Sequence, residues 1–338
     1  MIIEYPSYYE KFRCIGGRCP DTCCAGWEVD VDEASSAYYR SVEGTFGDTL
    51  RAHIREEDGD CFFPLTKEGR CPFLRKDLLC EMYIQLGEES LCQTCTEYPR
   101  YFMDIGNYEQ IDMSLSCMEL GRIFFTECER IEYIRSENDI PGDEISEEEQ
   151  ETLIEVLALR NRCIELLQMK DTTFLDAWQA VRALVAEAQG LDPKETDAER
   201  SYLAEDFPTL VALMKQLDSL RPEWDALVEI YEENCEDPHF LDALPKFMQD
   251  EAAKLDEWFT KLAVYFCYRY FIDTCIDGDI EIELCLVHRS LMIILFMLYS
   301  RWTGQQHLDV SDIIDIAHLF SKEVEHDEGN VNLLKTHG

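Results

Sequence analysis

Apolar residues recur with a helical period over most of the chain after residue 146. They stand three or four positions apart in two successive stripes, which begin at Leu153 and at Phe174. This spacing places the apolar side chains on one face of an amphipathic helix. Short breaks at Gly or Pro separate further predicted helices over residues 197–217, 222–234, 246–275, 280–302 and 309–327. We therefore expect an all-helical domain of six or seven helices in this part of the chain.

The first 130 residues show no such period. Gly, Pro and Cys interrupt them, and only the alternating residues 27–31 predict a short strand. A loop at residues 135–145, followed by an acidic helix start at residues 146–149, marks the boundary. The predicted fold is mainly α. An irregular, Cys-rich, metal-stabilised module at residues 1–134 is expected to pack on an all-helical domain at residues 135–338.

The charge balance limits the partners. The 338 residues contain 30 Lys and Arg against 70 Asp and Glu, which gives a formal net charge of −40. Nucleic-acid binding depends on basic patches and is therefore not expected, and anionic membrane surfaces are disfavoured for the same reason. Such a surface attracts cations or a lysine-bearing protein.

The apolar runs indicate neither a secretory signal nor a membrane span. The chain starts without a basic segment followed by an apolar one, and its longest apolar run, residues 291–299, is too short to cross a bilayer. We therefore expect a cytoplasmic protein without a transmembrane segment, in which residues 291–299 form a buried helix.

Sixteen cysteines are unusual for such a chain, and eleven of them precede residue 129. In a reducing cytosol a cluster of this kind indicates thiolate ligands rather than disulfides. The other five follow apolar patterns, are expected to pack in the core and receive no function: Cys163, Cys235, Cys267, Cys275 and Cys285. His288 is likewise expected to be an ordinary helix residue.

Two groups of cysteines have the spacing of ligands. The first is Cys14-x4-Cys19-x3-Cys23-Cys24, and the second combines Cys71 and Cys80 with the short loop Cys92-x2-Cys95. A Cys-x2-Cys loop allows two sulfurs to reach one metal ion or one cluster. Vicinal cysteines seldom bind the same metal, so one of Cys23 and Cys24 is expected to face the core or a second site.

Ligand type alone leaves three alternatives: an iron–sulfur cluster, zinc, or thiols without metal. A zinc ribbon normally has two Cys-x2-Cys loops and this chain has one, while His53 is the only histidine before residue 239. A Cys/His zinc finger is therefore not expected. The motifs of common hydrolases, NTPases, metalloproteases and Rossmann enzymes are missing as well, and so is the three-cysteine loop of radical S-adenosylmethionine enzymes.

Several short motifs in residues 8–117 resemble the bacterial flagellin lysine-N-methylase family. The longest are Cys19-Pro-Asp-Thr-Cys-Cys-Ala-Gly-Trp27, Cys71-Pro-Phe-Leu74, Leu86-Gly-Glu-Glu-Ser-Leu-Cys92-Gln-Thr-Cys95, Tyr98-Pro-Arg100 and Leu115-Ser-Cys117. The last motif adds Cys117 to the eight metal-ligand candidates, although Met118 stands where the family often has proline. The motifs also resemble a broader group of zinc- or iron-chelating cysteine-cluster proteins.

The resemblance implies a protein-lysine N-methyltransferase that acts on flagellin, or on another lysine-bearing protein, with S-adenosylmethionine as methyl donor. It also implies a [4Fe–4S] cluster bound by the cysteines. The alternative is a non-catalytic zinc- or iron-chelating protein that acts in metal handling or as an adaptor. The family has no recognisable donor-binding motif, so no catalytic or donor-binding residue is assigned.

Five residues near the cysteines receive provisional roles. A carboxylate or a tyrosine could accept the proton of the substrate lysine, and Glu88, Glu89 and Tyr98 lie near the motif cysteines. Asp21 is expected to cap backbone amides of the first cysteine loop, and Trp27 to shield the site from water.

Overall fold

Short elements occupy the first 137 residues, and longer helices follow them. The computed structural model describes residues 1–191 and 207–336. The early elements are β1 (Ile2–Pro6), β2 (Val29–Asp30), α1 (Glu33–Ser41), α2 (Gly44–His53), β3 (Arg55–Glu57), β4 (Asp60–Phe63), α3 (Glu81–Leu86), α4 (Gln93–Glu97), β5 (Arg100–Ile105), β6 (Tyr108–Met113), α5 (Met118–Glu127) and β7 (Tyr133–Glu137). The later ones are α6 (Glu147–Leu167), α7 (Phe174–Ala188), α8 (Phe207–Met214), α9 (Pro222–Glu236), α10 (Leu244–Asp250), α11 (Ala252–Tyr270), α12 (Thr274–Asp277), α13 (Ile280–Gln305), α14 (Val310–Phe320), a π-helix (Ser321–Glu325) and α15 (Glu328–Thr336).

Contacts between residues divide the chain into two units. The thiol unit comprises Phe12–Tyr101 and Met113–Leu120, and the helical unit comprises Met1–Lys11, Phe102–Asp112 and Gly121–Gly338. The domain boundary predicted between residues 134 and 135 stays a prediction. The units divide the chain at other positions because β1 pairs with β6 and β7, which lie far along the sequence.

Two small sheets are present among the described residues. The first has the strand order β5-β6-β1-β7, in which β1 runs parallel to β6 and antiparallel to β7. The second has the order β2-β4-β3, and both of its pairings are antiparallel.

Helix α13 forms the centre of the helical unit's core. Every side chain from 291 to 299 is buried, as predicted, and the Phe296 ring contacts the rings of Phe207 and Tyr231 at centroid distances of 4.7 and 5.1 Å. By length and composition α13 would suffice to cross a bilayer, but 78% of its most apolar stretch is buried inside the protein. Burial on nearly all faces explains why this helix is apolar all round.

The core of the thiol unit is smaller. Its rings meet at centroid distances of 5.8 Å between Tyr39 and Phe63 and 4.9 Å between Phe63 and Phe73. Two buried cysteines, Cys71 and Cys92, belong to the same apolar cluster. The unit therefore combines aromatic packing with thiol groups.

The mainly α fold is confirmed, and helix periodicity located most of the long helices. Helices α6 and α7 carry the two predicted apolar stripes, and α9 and α13 match the predictions for 222–234 and 280–302. The prediction for 246–275 was too long, since the helix breaks at Glu251 and ends in the 3-10 turn Phe271–Asp273. The single helix predicted over residues 309–327 is in fact α14 followed directly by the π-helix. Of the predicted 197–217 helix, residues 197–206 lie outside the described residues, and α8 covers part of the remainder.

The expectation of a single strand was wrong, and so was that of a purely helical part after residue 134. Strand β2 lies within the predicted residues 27–31, but the described part of the chain has six other strands, and β7 pairs with β1 over five residue pairs. Buried polar side chains concealed these strands, because Glu4 in β1 and Gln110 and Asp112 in β6 occupy positions that the alternating pattern expects to be apolar.

Candidate functional site

All nine cysteines predicted as metal ligands lie in the thiol unit. They are Cys14, Cys19, Cys23, Cys24, Cys71, Cys80, Cys92, Cys95 and Cys117. Of the two other early cysteines, Cys61 also lies in the thiol unit and Cys128 is buried in the helical unit. Cys61 is on β4, and its sulfur accepts hydrogen bonds from Ser36 and Arg40 of α1. The thiol unit thus contains the nine predicted ligands and one further cysteine.

A tight turn shapes the loop of the first two cysteines. Gly16 has a φ of +56°, its N–H lies 3.4 Å from the Cys14 sulfur, and its carbonyl accepts from the N–H of Cys19 at 2.9 Å. At Gly17, a β-carbon would lie 2.8 Å from the Asp77 carbonyl oxygen. The two glycines therefore allow the chain to turn tightly between Cys14 and Cys19.

Backbone hydrogen bonds bring the first cysteine group beside the second. The N–H of Cys71 donates to the carbonyl of Cys24 at 2.8 Å, and Leu74 forms an isolated bridge with Cys80. Both Cys24 and Cys80 also pack against the apolar cluster that contains Cys71 and Cys92. Four of the predicted ligand cysteines therefore border one small core, together with Cys61.

Three of the cysteines stand directly before helices. Cys80 precedes α3, Cys92 precedes α4 and Cys117 precedes α5. Burial raises the pKa of Cys117 to about 12, although the backbone amides of Leu120 and Glu119 oppose this by hydrogen bonding to its sulfur. Amides at the start of a helix stabilise a thiolate, which is the form that binds metal.

The sulfurs also influence one another. Burial, followed by the neighbouring Cys24, Cys80 and Cys92, raises the pKa of Cys71 to about 12. A hydrogen bond between Cys92 and Cys95 lowers the pKa of Cys92 and raises that of Cys95. The pair therefore loses its first proton more easily than its second. Like charges brought close together have this effect, and a bound cation would reverse it.

The donor set fits a thiophilic metal by its chemistry, because it consists of sulfur alone with supporting amides. The ring of His53 packs on that of Phe73, with 5.5 Å between the ring centroids. Within residues 1–191 and 207–336, no three or more His, Cys, Asp or Glu side chains stand together in an arrangement ready to hold an ion. The fold thus places the nine predicted ligands in one unit, but does not bring three of them together in a metal-binding arrangement.

The residues beside the cysteines have defined contacts. The Asp21 carboxylate accepts from the N–H of Thr22 at 2.7 Å, and the Trp27 ring packs on Tyr98 at 6.1 Å. Tyr98 shares a hydrogen bond of 3.0 Å with the Ser116 hydroxyl. Burial, with Cys117 and Cys23 nearby, raises the pKa of Tyr98 well above 10, so its phenol stays protonated. The role of Tyr98 as a proton acceptor stays a prediction.

Glu88 and Glu89 remain exposed carboxylates. They lie in the 3-10 turn Glu88–Ser90 and line a surface depression together with Gly87 and Thr96. The hydroxyl of Tyr83 donates to Glu88 at 3.3 Å. Their exposure allows contact with a basic partner.

The later cysteines and His288 behave largely as expected. Cys163 and Cys267 are fully buried in the core, and the other three are half-buried. Burial lowers the pKa of His288 to about 3, which keeps its ring neutral.

A groove in the helical unit was not predicted. It has a volume of about 380 Å³ and lies between α6 and strands of the first sheet. Its helix side consists of Gln150, Leu153, Ile154, Leu157, Ala158 and Asn161, and its sheet side of Ile2, Asn107, Tyr108 and Arg135. The six helix residues recur every three or four positions, and this regular stripe was the available sequence signal.

A buried ionic network lies next to the groove. The Glu4 carboxylate accepts from both Arg160 and Arg135, and from the Tyr108 hydroxyl at 2.9 Å. Burial alone would raise the pKa of Glu4, but Arg160 and the hydrogen bonds from Arg135 and Tyr108 outweigh it and lower the pKa. Arg160 also donates to Gln110 and is completely buried. Glu4 and Arg160 are 156 residues apart in sequence, so no local pattern could have paired them.

The sequence of this chain is similar to those of known lysine methylases. A family model described as the FliB lysine N-methylase C-terminal domain matches residues 143–337, more than half of the chain. Proteins named lysine-N-methylase from Salmonella typhimurium and Salmonella choleraesuis are each 30% identical over 127 residues, which are 36% of this chain and 31% of theirs. The chain thus matches about a third of their length.

A shorter relative is covered more fully. Flagellar biosynthetic protein FliU of Salmonella muenchen is 30% identical over 127 residues, which are 75% of its length. No solved structure matches the chain. The family match in residues 143–337 falls where the sequence showed no recognisable motif.

Proposed function

Because the chain belongs to the FliB lysine N-methylase family, we propose that it methylates lysine side chains of flagellin in the cytoplasm, with S-adenosylmethionine as donor. We further propose that cysteines of the thiol unit bind a [4Fe–4S] cluster, with zinc as the alternative occupant. The structural observation that carries the metal proposal is the placement of all nine predicted thiols in one unit.

Names and charge both support a flagellar substrate. One relative is named a flagellar biosynthetic protein, and two are named lysine-N-methylases. The formal charge of −40 favours the approach of a lysine-bearing protein, and exposed carboxylates such as Glu88 and Glu89 supply local attraction.

The thiol unit offers more sulfurs than one cluster needs. A [4Fe–4S] cluster takes about four cysteines. Cys24, Cys71, Cys80 and Cys92 border one core, and amides at the starts of α3 and α4 support two of them. When bound, the cluster would supply a redox-active, positively charged centre that holds these loops together. We propose that it orders the thiol unit.

Methyl transfer itself requires no radical. The lone pair of the neutral lysine nitrogen forms the new N–C bond as the methyl–sulfur bond of the sulfonium breaks, and the sulfur leaves as a neutral thioether. The substrate must first lose its ammonium proton, which an exposed carboxylate or water accepts. The protein's contribution is to align the reactants and exclude water.

Anaerobic purification of the full chain with iron, sulfide and zinc analysis tests the metal. We expect about four irons and four sulfides per chain. The same sample is then incubated with flagellin and S-adenosylmethionine. Peptide mass spectrometry of the flagellin should show methylated lysines. The variant C92S should lose metal, whereas the matched variant C235S, on α9 of the helical unit, should keep it.

Three outcomes decide between the alternatives. Stoichiometric zinc together with methylated flagellin would show that the metal is zinc rather than a cluster, and the methylase proposal would stand. Metal without donor binding or methylation would overturn the methylase and leave a metal-chelating protein. Equal metal content in C92S and C235S would overturn the assignment of the thiol unit.

A further inference from the structure

We infer that the groove between α6 and the first sheet binds the methyl donor, a sulfonium nucleoside with an amino-acid end, whose carboxylate pairs with Arg135. This inference rests on the proposed function. It gives a ligand-binding role to residues that the sequence motifs left without one.

The charge of the groove is opposite to that of the chain. None of its lining residues is acidic and Arg135 is basic, although the protein contains 70 Asp and Glu. A lysine side chain would be repelled there, whereas a carboxylate would be attracted. The groove therefore suits the donor rather than the acceptor of the methyl group.

Two amides lining the groove have a fixed orientation. The Asn107 oxygen accepts from the N–H of Gly142 at 3.0 Å, and the Asn161 oxygen accepts from Arg160 at 3.1 Å. Each oxygen is thus occupied, and the two NH₂ groups have no acceptor among the residues that the structure describes, so both can donate to a ligand. Glu4 binds the Nε of Arg135, and the two Nη atoms of Arg135 meet no acceptor within the described residues. The polar groups on offer are thus N–H donors, which match a carboxylate or other acceptor oxygens.

The helix side supplies the apolar surface. Ile154 is 59% exposed, and it lies on the same stripe as Leu153 and Leu157. Ligand sites typically combine an apolar wall with a few convergent polar groups. An adenosine ring and a methylene chain would cover such a wall, while the carboxylate reaches Arg135.

The buried network holds the key side chain in place. Glu4 anchors Arg135, and Glu4 is itself fixed by the fully buried Arg160 and by Tyr108. A guanidinium held in this way loses little freedom when a ligand binds. The groove volume of about 380 Å³ is suitable for one small molecule, since such sites span roughly 300–1,000 Å³.

The test is a titration of S-adenosylmethionine into the anaerobically purified full chain. Two variants change the groove. A158F fills it from an exposed position on α6, and R135Q removes its charge. Their controls are A253F, at an exposed alanine of α11, and R40Q. Arg40 is 50% exposed and paired with Glu56, against 51% for Arg135 paired with Glu4.

We expect A158F to abolish saturable donor binding and R135Q to weaken it by about tenfold or more, as for a lost charged hydrogen bond. The controls should bind like the wild type. As a second probe, 5′-methylthioadenosine lacks the carboxylate, so R135Q should leave its affinity unchanged while A158F abolishes it.

The outcomes separate this inference from the proposed function. If the wild type binds the donor and both groove variants bind it equally well, the groove assignment is wrong and the methylase proposal stands. If the wild type does not bind the donor, both fail. If R135Q weakens both probes equally, Arg135 does not contact the carboxylate, and the assignment of that end of the ligand is wrong.

Discussion

The two units of this chain bury their apolar side chains in different ways. In the helical unit three tryptophans, Trp178, Trp224 and Trp302, are almost completely buried, and α13 is apolar on nearly all faces. In the thiol unit the core has a few aromatic rings and is bordered by cysteines. The helical unit therefore has a large apolar core, and burial of apolar surface is the main contribution to the stability of a fold.

A small core limits stability, because the apolar area removed from water grows with the size of the packed unit. Nine of the ten cysteines of the thiol unit are predicted metal ligands, and a bound metal could supply the stability that its core lacks. Apolar packing thus orders the helical unit, whereas the proposed metal would add order to the thiol unit.

Removal of the proposed metal should affect the thiol unit alone. Structural metal–thiolate sites contribute on the order of 10 kcal/mol to folding, so chelation under anaerobic conditions should open residues 12–101. Hydrogen exchange read by mass spectrometry should show lost protection there and unchanged protection in α11 and α13. Unchanged protection in both units would contradict a metal-dependent thiol unit.

Truncation of a core ring should affect the helical unit. Phe296 contacts three other rings and is fully buried, so F296A should lower the free energy of unfolding by about 3–5 kcal/mol. Urea denaturation followed by tryptophan fluorescence measures the change. The control I276A, at a 71% exposed side chain, should change it by less than about 0.5 kcal/mol. A cost for F296A no larger than the control's would show that this core is not the main source of stability.

Acid should destabilise the helical unit through its buried histidines. Burial lowers the pKa of both His288 and His326 from 6.5 to about 3. Between these values the unfolded chain binds protons that the folded chain does not, so stability falls as pH falls from about 6.5 towards 3. H288F should reduce this slope by about 1.4 kcal/mol per pH unit, measured by urea denaturation across pH. H53F, in the thiol unit, should leave the slope of the helical unit unchanged.

Helix caps should give the smallest effects. Asp32 accepts from the N–H groups of both Ser35 and Gln93 and so caps α1 and α4 together, whereas the Ser146 hydroxyl accepts from Glu149 at the start of α6 alone. We expect D32A to cost about 2 kcal/mol in the thiol unit and S146A about 1 kcal/mol in the helical unit. Hydrogen exchange in the first turns of α1, α4 and α6 measures both. A larger cost for S146A would mean that Asp32 does not stabilise two helices at once.

Sequence patterns predicted the features that depend on residues close together in the chain. The apolar period revealed α6, α7, α9 and α13, because amphipathic helices repeat their burial along a continuous stretch. The cysteine motifs selected nine of the ten thiols that the fold places in the thiol unit, and left out Cys128, which lies in the helical unit.

Long-range pairing remained hidden from the sequence. Glu4 and Arg160 are charged residues that any pattern assigns to the surface, yet each is buried because the other neutralises it. The groove beside them could not be predicted either, since its two walls come from segments that are far apart in the chain. The four-stranded sheet was missed for the same reason.

The division of the chain between the units also sets an order of events during synthesis. The thiol unit is complete once residue 120 has been made, whereas the helical unit needs its first eleven residues together with its last helices. The hydroxyl of Tyr268 donates to the carbonyl of Glu4, 264 residues earlier. On the ribosome, β1 must therefore wait for partners that emerge much later, whereas the nine cysteines are all present early enough to bind the proposed metal before the chain is complete.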